Sequence, residues 1–239
     1  MTSERELALF MASVYYKLDR HNDSISSIKK MILLNPKLSY EERILFSHIY
    51  KDAVCPLRNT LGIIEMRIND DNSSNAEYIE EYKAKILNEL ENICLEFIAY
   101  TDNLLLPVTN DSEAILFYEK TKGDFYRYIA EFKSIDDRTE FVCKAKQCYE
   151  NAVQIANVKC SGAESLYQGL FLNYCILLYD MLNQKMKAIE IASHTIDVTR
   201  KAYDKLYEEN DCIGGEQTMN IQLLNDNLTI WKKEIEENQ

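Results

Sequence analysis

Lys120, Arg127 and Tyr128 fall in one short stretch, EKTKGDFYRYIAEF at residues 119–132, of a 239-residue chain with a formal charge of −12. Seven residues are two turns of an α-helix, so the two cationic side chains project from one face, with the Tyr128 hydroxyl beside them as a neutral donor. Lys51 and Arg58 repeat the seven-residue interval in RILFSHIYKDAVCPLR, residues 43–58. Two such stripes lying side by side could close on one anion. Charge-assisted hydrogen bonds to phosphate contribute about 1.5–3 kcal/mol each, so three or four donors hold a phosphorylated side chain. Spacing alone is also met, more simply, by solvated helix faces carrying incidental charges.

Two further segments carry a complementary pattern. Leu172, Asn173, Ile176 and Asp180 recur at spacings that share a helical face, and so do Leu223, Asn227, Ile230 and Trp231. An asparagine set among apolar neighbours can bind an extended peptide backbone through both its amide donor and its acceptor. Apolar stripes of this kind also build cores, where two asparagines would be awkward.

Other chemistries find no foothold. His21, His48 and His194 lie on separate segments without the spacing of a zinc site, so no metal is expected. Gly214-Gly215 lacks the Lys-Ser/Thr of a phosphate loop, no nucleophile stands with a base, and no cofactor is expected. Seven cysteines, odd in number and with no C-x-x-C pair, read as reduced core thiols in a cytoplasmic protein. Asn72-Ser73-Ser74 is then an incidental glycosylation match. The opening MTSERELALF has acids and no apolar run, unlike a signal peptide. Gly169–Leu182, the most apolar segment, is about 21 Å long as a helix, short of the roughly 30 Å a bilayer requires. A pI near 4.8 argues against nucleic acid and anionic lipid as partners.

The elements that must position these residues are all helical. Six glycines and three prolines are too few turn signals for a many-stranded fold. Apolar periodicity predicts helices over 3–18, 20–34, about 40–69, 76–106, about 112–133, 137–159, 164–182, 186–209 and 216–236. Ser39 with Glu42 forms a capping box for the third, Asp111 or Ser112 caps the fifth, and Asp136 or Asp137 caps the sixth. Pro56 inside the third removes a backbone donor, which costs about 3 kcal/mol or produces a kink. The reading is all-α, nine antiparallel helices in a single domain over 1–239.

At this point whole segments match a family. FYEKTKGDFYRYIAE (117–131), RILFSHIYKDAVCPLR (43–58), EYKAKILNELENIC (81–94) and QLLNDNLTIW (222–231) resemble signature segments of the 14-3-3 proteins, in the same order along the chain. The resemblance implies a 14-3-3-like bundle with a concave amphipathic groove for phosphoserine or phosphothreonine peptides, borne by a homodimer or a heterodimer with family members. By position it implies phosphate binding by Lys51, Arg58, Arg127 and Tyr128 with Lys120 close by. Asn173 and Asn227 would hold the peptide backbone, Leu172, Ile176, Leu223, Ile230 and Trp231 would form the apolar wall, and Asp180 stands where the family usually has Glu. It implies dimerisation through residues 1–35, with Val14, Leu18, Arg20 and Asp23 facing Tyr82, Lys85 and Glu89 of the other copy. Arg20 would pair there with Glu89 and Asp23 with Lys85, and Thr60 would be a hydroxyl at the seam. Residues 216–239 would be the last groove helix and a short acidic tail without Ser or Thr.

Two departures bear on the phosphate site. Pro56 stands between Lys51 and Arg58, and Gly62 replaces an arginine that family members usually present one turn past Arg58. The expected function is therefore a phosphopeptide-binding adaptor with a weakened or altered phosphate site and no enzymatic activity. The alternative is a degenerate helical dimer that binds partners independently of phosphorylation.

Overall fold

Helix caps set the element boundaries. The computed structural model describes residues 3–70, 76–210 and 219–237. Nine α-helices follow one another among the described residues: α1 Glu4–Lys17, α2 His21–Leu34, α3 Tyr40–Asp70, α4 Ala76–Tyr100, α5 Ser112–Glu131, α6 Ile135–Lys159, α7 Ser165–Ile176, α8 Lys185–Asn210 and α9 Met219–Glu237. No strand occurs among them, so the fold is all-α, as the sequence predicts. The readings of Gly214-Gly215, Cys212 and Asn72-Ser73-Ser74 lie outside the described residues.

Ser3 and Glu6 form a reciprocal capping box at α1. Ser39 and Glu42 form the expected one at α3, at 2.9 and 3.3 Å. Asp111 is the cap of α5, accepting the N–H groups of Glu113 and Ala114 at 3.2 Å each. At α6 the cap is Ser134, whose hydroxyl accepts the Asp137 N–H at 3.2 Å. The expected caps, Asp136 and Asp137, sit instead in the first turn, where their charge suits the helix dipole.

Pro56 does not interrupt α3, which runs through 31 residues. Its ring is exposed, while Ile49, Tyr50, Val54, Leu61 and Ile64 are buried at helical spacing on both sides of it. Burial of that stripe on either side offsets the lost backbone donor. Gly62 follows in the same helix, with nothing within 4 Å of the place a Cβ would occupy. Two expected straight helices end differently. Residues 101–105 and 177–181, read as the ends of 76–106 and 164–182, are π-helical turns, Thr101–Leu105 and Leu177–Met181.

The chain divides into two compact units, residues 1–114 with 128–139 and residues 115–127 with 140–239. In the first, α1 packs on α2, α2 on α3 and α3 on α4. Its core centres on the fully buried rings of Phe46, Tyr50 and Phe97, with centroids 4.5–5.4 Å apart. Arg5 grips Glu42 through two hydrogen bonds at 2.7 and 2.8 Å, tying α1 to α3. Burial pushes the Glu42 carboxyl up, but the hydrogen bonds from Arg5 and Ser39 outweigh it and hold the group below its ordinary range.

In the second unit, α7, α8 and α9 pack on one another. A Cβ on Gly123 would come within 2.7 Å of the Tyr149 ring, so a glycine here lets α6 lie close against α5. Gly162, at φ 101°, turns the chain between α6 and α7. Its carbonyl accepts from the Thr199 hydroxyl at 3.0 Å and the Gln168 amide at 3.1 Å, both donors being buried. No described helix is long and apolar enough to cross a membrane.

Candidate functional site

α3 and the last turn of α5 set the surroundings of Arg58 within the first unit. Tyr128 and Glu131 are three residues apart on α5 and so share a face. The Arg58 guanidinium lies over the Tyr128 ring, its Cζ 4.0 Å from the centroid. It also donates to a single oxygen of Glu131, from Nε at 3.1 Å and from Nη2 at 2.7 Å. Arg58 and Glu131 side chains remain 28 % and 34 % accessible, so the pair is open to solvent on one side. Lys51 is half-buried on the same helix, seven residues before Arg58, with the helical path between them unbroken. Behind this face Cys94 of α4 is buried, and burial pushes its thiol well above the ordinary thiol range despite the nearby Arg58 charge.

Lys120 and Asp124, one turn apart on α5, build the corresponding part of the second unit. Asp124 is fully buried and accepts three donors: Lys120 Nζ at 2.7 Å, the Tyr149 hydroxyl at 2.9 Å and the Asn173 amide at 2.7 Å. The amide group of Asn173 is thus oriented by Asp124, with the side chain half-buried. Lys120 is an ion-pair partner of that buried carboxylate. Arg127 is buried on α5, immediately before Tyr128 in the chain.

The apolar candidates separate into two kinds. Leu223 and Ile230 are exposed on α9 at 46 % and 55 %, whereas Leu172 and Trp231 are buried at 6 % and 5 %. Trp231 stacks on Tyr179, with ring centroids 4.5 Å apart and an interplanar angle of 12°. Its ring therefore takes part in the packing of the second unit. The Tyr179 hydroxyl donates to Glu234 at 2.7 Å, and burial followed by that carboxylate pushes its phenol up to about 12. Asn227 and Ile176 are half-buried and Asp180 is exposed. Asp180 falls inside the π-helical turn Leu177–Met181.

The candidate dimer residues fall on α1 (Val14), the α1–α2 connection (Leu18 and Arg20), α2 (Asp23), α3 (Thr60) and α4 (Tyr82, Lys85 and Glu89). Leu18 is 64 % exposed and Tyr82 50 %, Val14 is half-buried, and Lys85 and Glu89 are exposed. Within the chain Arg20 pairs with Asp23, three residues away. The Thr60 hydroxyl donates to the Pro56 carbonyl at 2.9 Å.

Glu131 and Asp124 are the residues the sequence reading passed over. Each sits one turn from a candidate it pairs with or flanks, Glu131 after Tyr128 and Asp124 after Lys120. The i, i+3 and i, i+4 spacings were the available signal.

The comparisons with known proteins agree along the whole length. The 14-3-3 protein family model matches residues 11–232. The chain is 32 % identical over 241 residues to the 14-3-3-like protein GF14 omicron of Arabidopsis thaliana, covering 99 % of this chain and 94 % of that protein. It is 34 % identical over 233 residues to 14-3-3-like protein 2 of Caenorhabditis elegans, covering 97 % and 93 %. With the checkpoint signal transducer rad25 of Schizosaccharomyces pombe it shares 32 % identity over 243 residues, covering 100 % and 89 %. An all-helical chain carrying these residues, matched from end to end, belongs to the 14-3-3 family of adaptor proteins.

Proposed function

We propose that the chain is a phosphoserine/phosphothreonine-peptide-binding adaptor that acts by holding partners rather than by chemistry, as a cytoplasmic dimer built from one 14-3-3-like domain per chain. The observation that carries the reading is the setting of Arg58. Its guanidinium is laid on an aromatic face at 4.0 Å and already holds an oxyanion, the Glu131 carboxylate, on its accessible side. A phosphate brings more charge and more acceptor oxygens than a carboxylate, so it is the stronger partner for the same donors. Lys51, Arg127 and the Tyr128 hydroxyl complete the proposed phosphate ligands. Asn173 and Asn227 bind the peptide backbone, with Leu223 and Ile230 as the exposed apolar contacts. Two grooves in a dimer raise avidity for doubly phosphorylated partners through effective concentration.

Fluorescence anisotropy with a labelled phosphoserine peptide and its unmodified twin tests the reading. The phosphopeptide binds at least about tenfold more tightly, which corresponds to one charge-assisted hydrogen bond of about 1.4 kcal/mol, and Arg127→Ala abolishes the difference. Equal affinity for the two peptides removes phosphate recognition. One observation favours a second reading, a helical scaffold indifferent to phosphorylation: Arg58 and Lys120 are both paired with acids of their own chain. Binding of cellular partners that survives phosphatase treatment is its mark.

A further inference from the structure

Glu131 sits where a bound anion would sit on Arg58. We propose that it is an internal competitor: its carboxylate occupies Arg58 in the free protein, and a ligand is admitted only if its anion is strong enough to take its place. This rests on the phosphopeptide reading and deepens it.

The geometry supports an exchangeable pair. Arg58 Nε and Nη2 both converge on one Glu131 oxygen, at 3.1 and 2.7 Å. Both side chains are about one-third accessible, so the carboxylate can swing into water without opening the helices around it. The guanidinium is held separately, by the Tyr128 ring beneath it, and stays in place when Glu131 leaves. One turn past Arg58 on α3, position 62 is glycine with open space about it, so no cationic side chain is presented from that position.

The consequence is a threshold set by charge. Exchanging one carboxylate for another gains little, so a peptide with Glu at the central position is refused. A phosphomonoester, at a charge of about −1.5 to −2 near neutral pH, gains enough to displace Glu131. The competitor is part of the same site, and it acts on binding strength without touching the peptide.

The test compares wild type with Glu131→Gln, which keeps the shape and removes the charge. Anisotropy is measured with three labelled peptides that differ only in carrying phosphoserine, glutamate or serine at the centre. Glu131→Gln is expected to bind the phosphoserine peptide at least about fivefold more tightly, and to bring the glutamate peptide into measurable range. A merely structural role for Glu131 would weaken binding instead. If wild type prefers phosphoserine over serine but Glu131→Gln binds no more tightly, the competitor is refuted while phosphopeptide recognition stands. If neither protein distinguishes phosphoserine from serine, the phosphopeptide reading falls and the competitor with it. A second measurement needs no variant: the Glu131 side-chain carboxyl carbon signal in NMR is expected to shift as phosphoserine peptide is added to wild type. A signal that stays unmoved at saturation overturns the exchange.

Discussion

Asp124 is a fully buried carboxylate on which three other side chains converge. It is buried beyond reach of water, and Lys120, Tyr149 and Asn173 all direct hydrogen atoms at it. Such a carboxylate is tolerated because both of its oxygens meet donors. Asp124→Ala strips the acceptor from all three at once and should destabilise the protein by about 3–5 kcal/mol, the usual consequence of breaking a buried charge pair from one side. Chemical denaturation followed by circular dichroism reads that loss, and a change under about 1 kcal/mol would reduce Asp124 to a spectator. The same residue illustrates what single positions disclose in advance. Lys120 was legible as a cation on a helix face, but its commitment to Asp124 depends on that face being buried, and burial is a property of packing rather than of spacing.

Among the elements, α3 and the turn into α7 place glycine under opposite demands. Gly62 lies in a helix with open space about it, so it contributes only backbone freedom to the unfolded chain. Gly62→Ala should therefore stabilise α3 by about 0.5–1 kcal/mol. Gly162 combines a φ of 101° with Val198 Cγ1 only 2.7 Å from a would-be Cβ. Gly162→Ala should cost at least about 2 kcal/mol, since strain and a clash coincide. Thermal unfolding of the two variants beside wild type checks both signs, and shifts in the same direction would contradict the account. Helix existence and order were readable from apolar periodicity because nearly every segment buries one stripe. The two π-helical turns were not readable, for they arise where tertiary packing absorbs an extra residue without altering the apolar pattern.

For the molecule as a whole, the sequence disclosed the family and the candidate ligands, because long segments such as FYEKTKGDFYRYIAE are specific even at 32–34 % identity. It did not disclose the acids that oppose those ligands, since an acidic chain offers too many carboxylates to single out two by inspection. Assembly is the property that most needs measurement at this scale. The proposed dimer predicts sedimentation at twice 27.9 kDa. Leu18, 64 % exposed at the end of α1, is apolar surface that a second copy would cover. Leu18→Glu would bury a charge in that seam and should yield monomer at micromolar concentration. A variant that still sediments as a dimer would move the seam elsewhere.

The stacking of Trp231 on Tyr179 gives the protein a built-in optical reporter. It is the sole indole in 239 residues, and its ring joins α9 to the turn that follows α7. Selective excitation therefore records one junction with no background from elsewhere, and a red shift in emission would time the release of the last helix during unfolding without any attached dye.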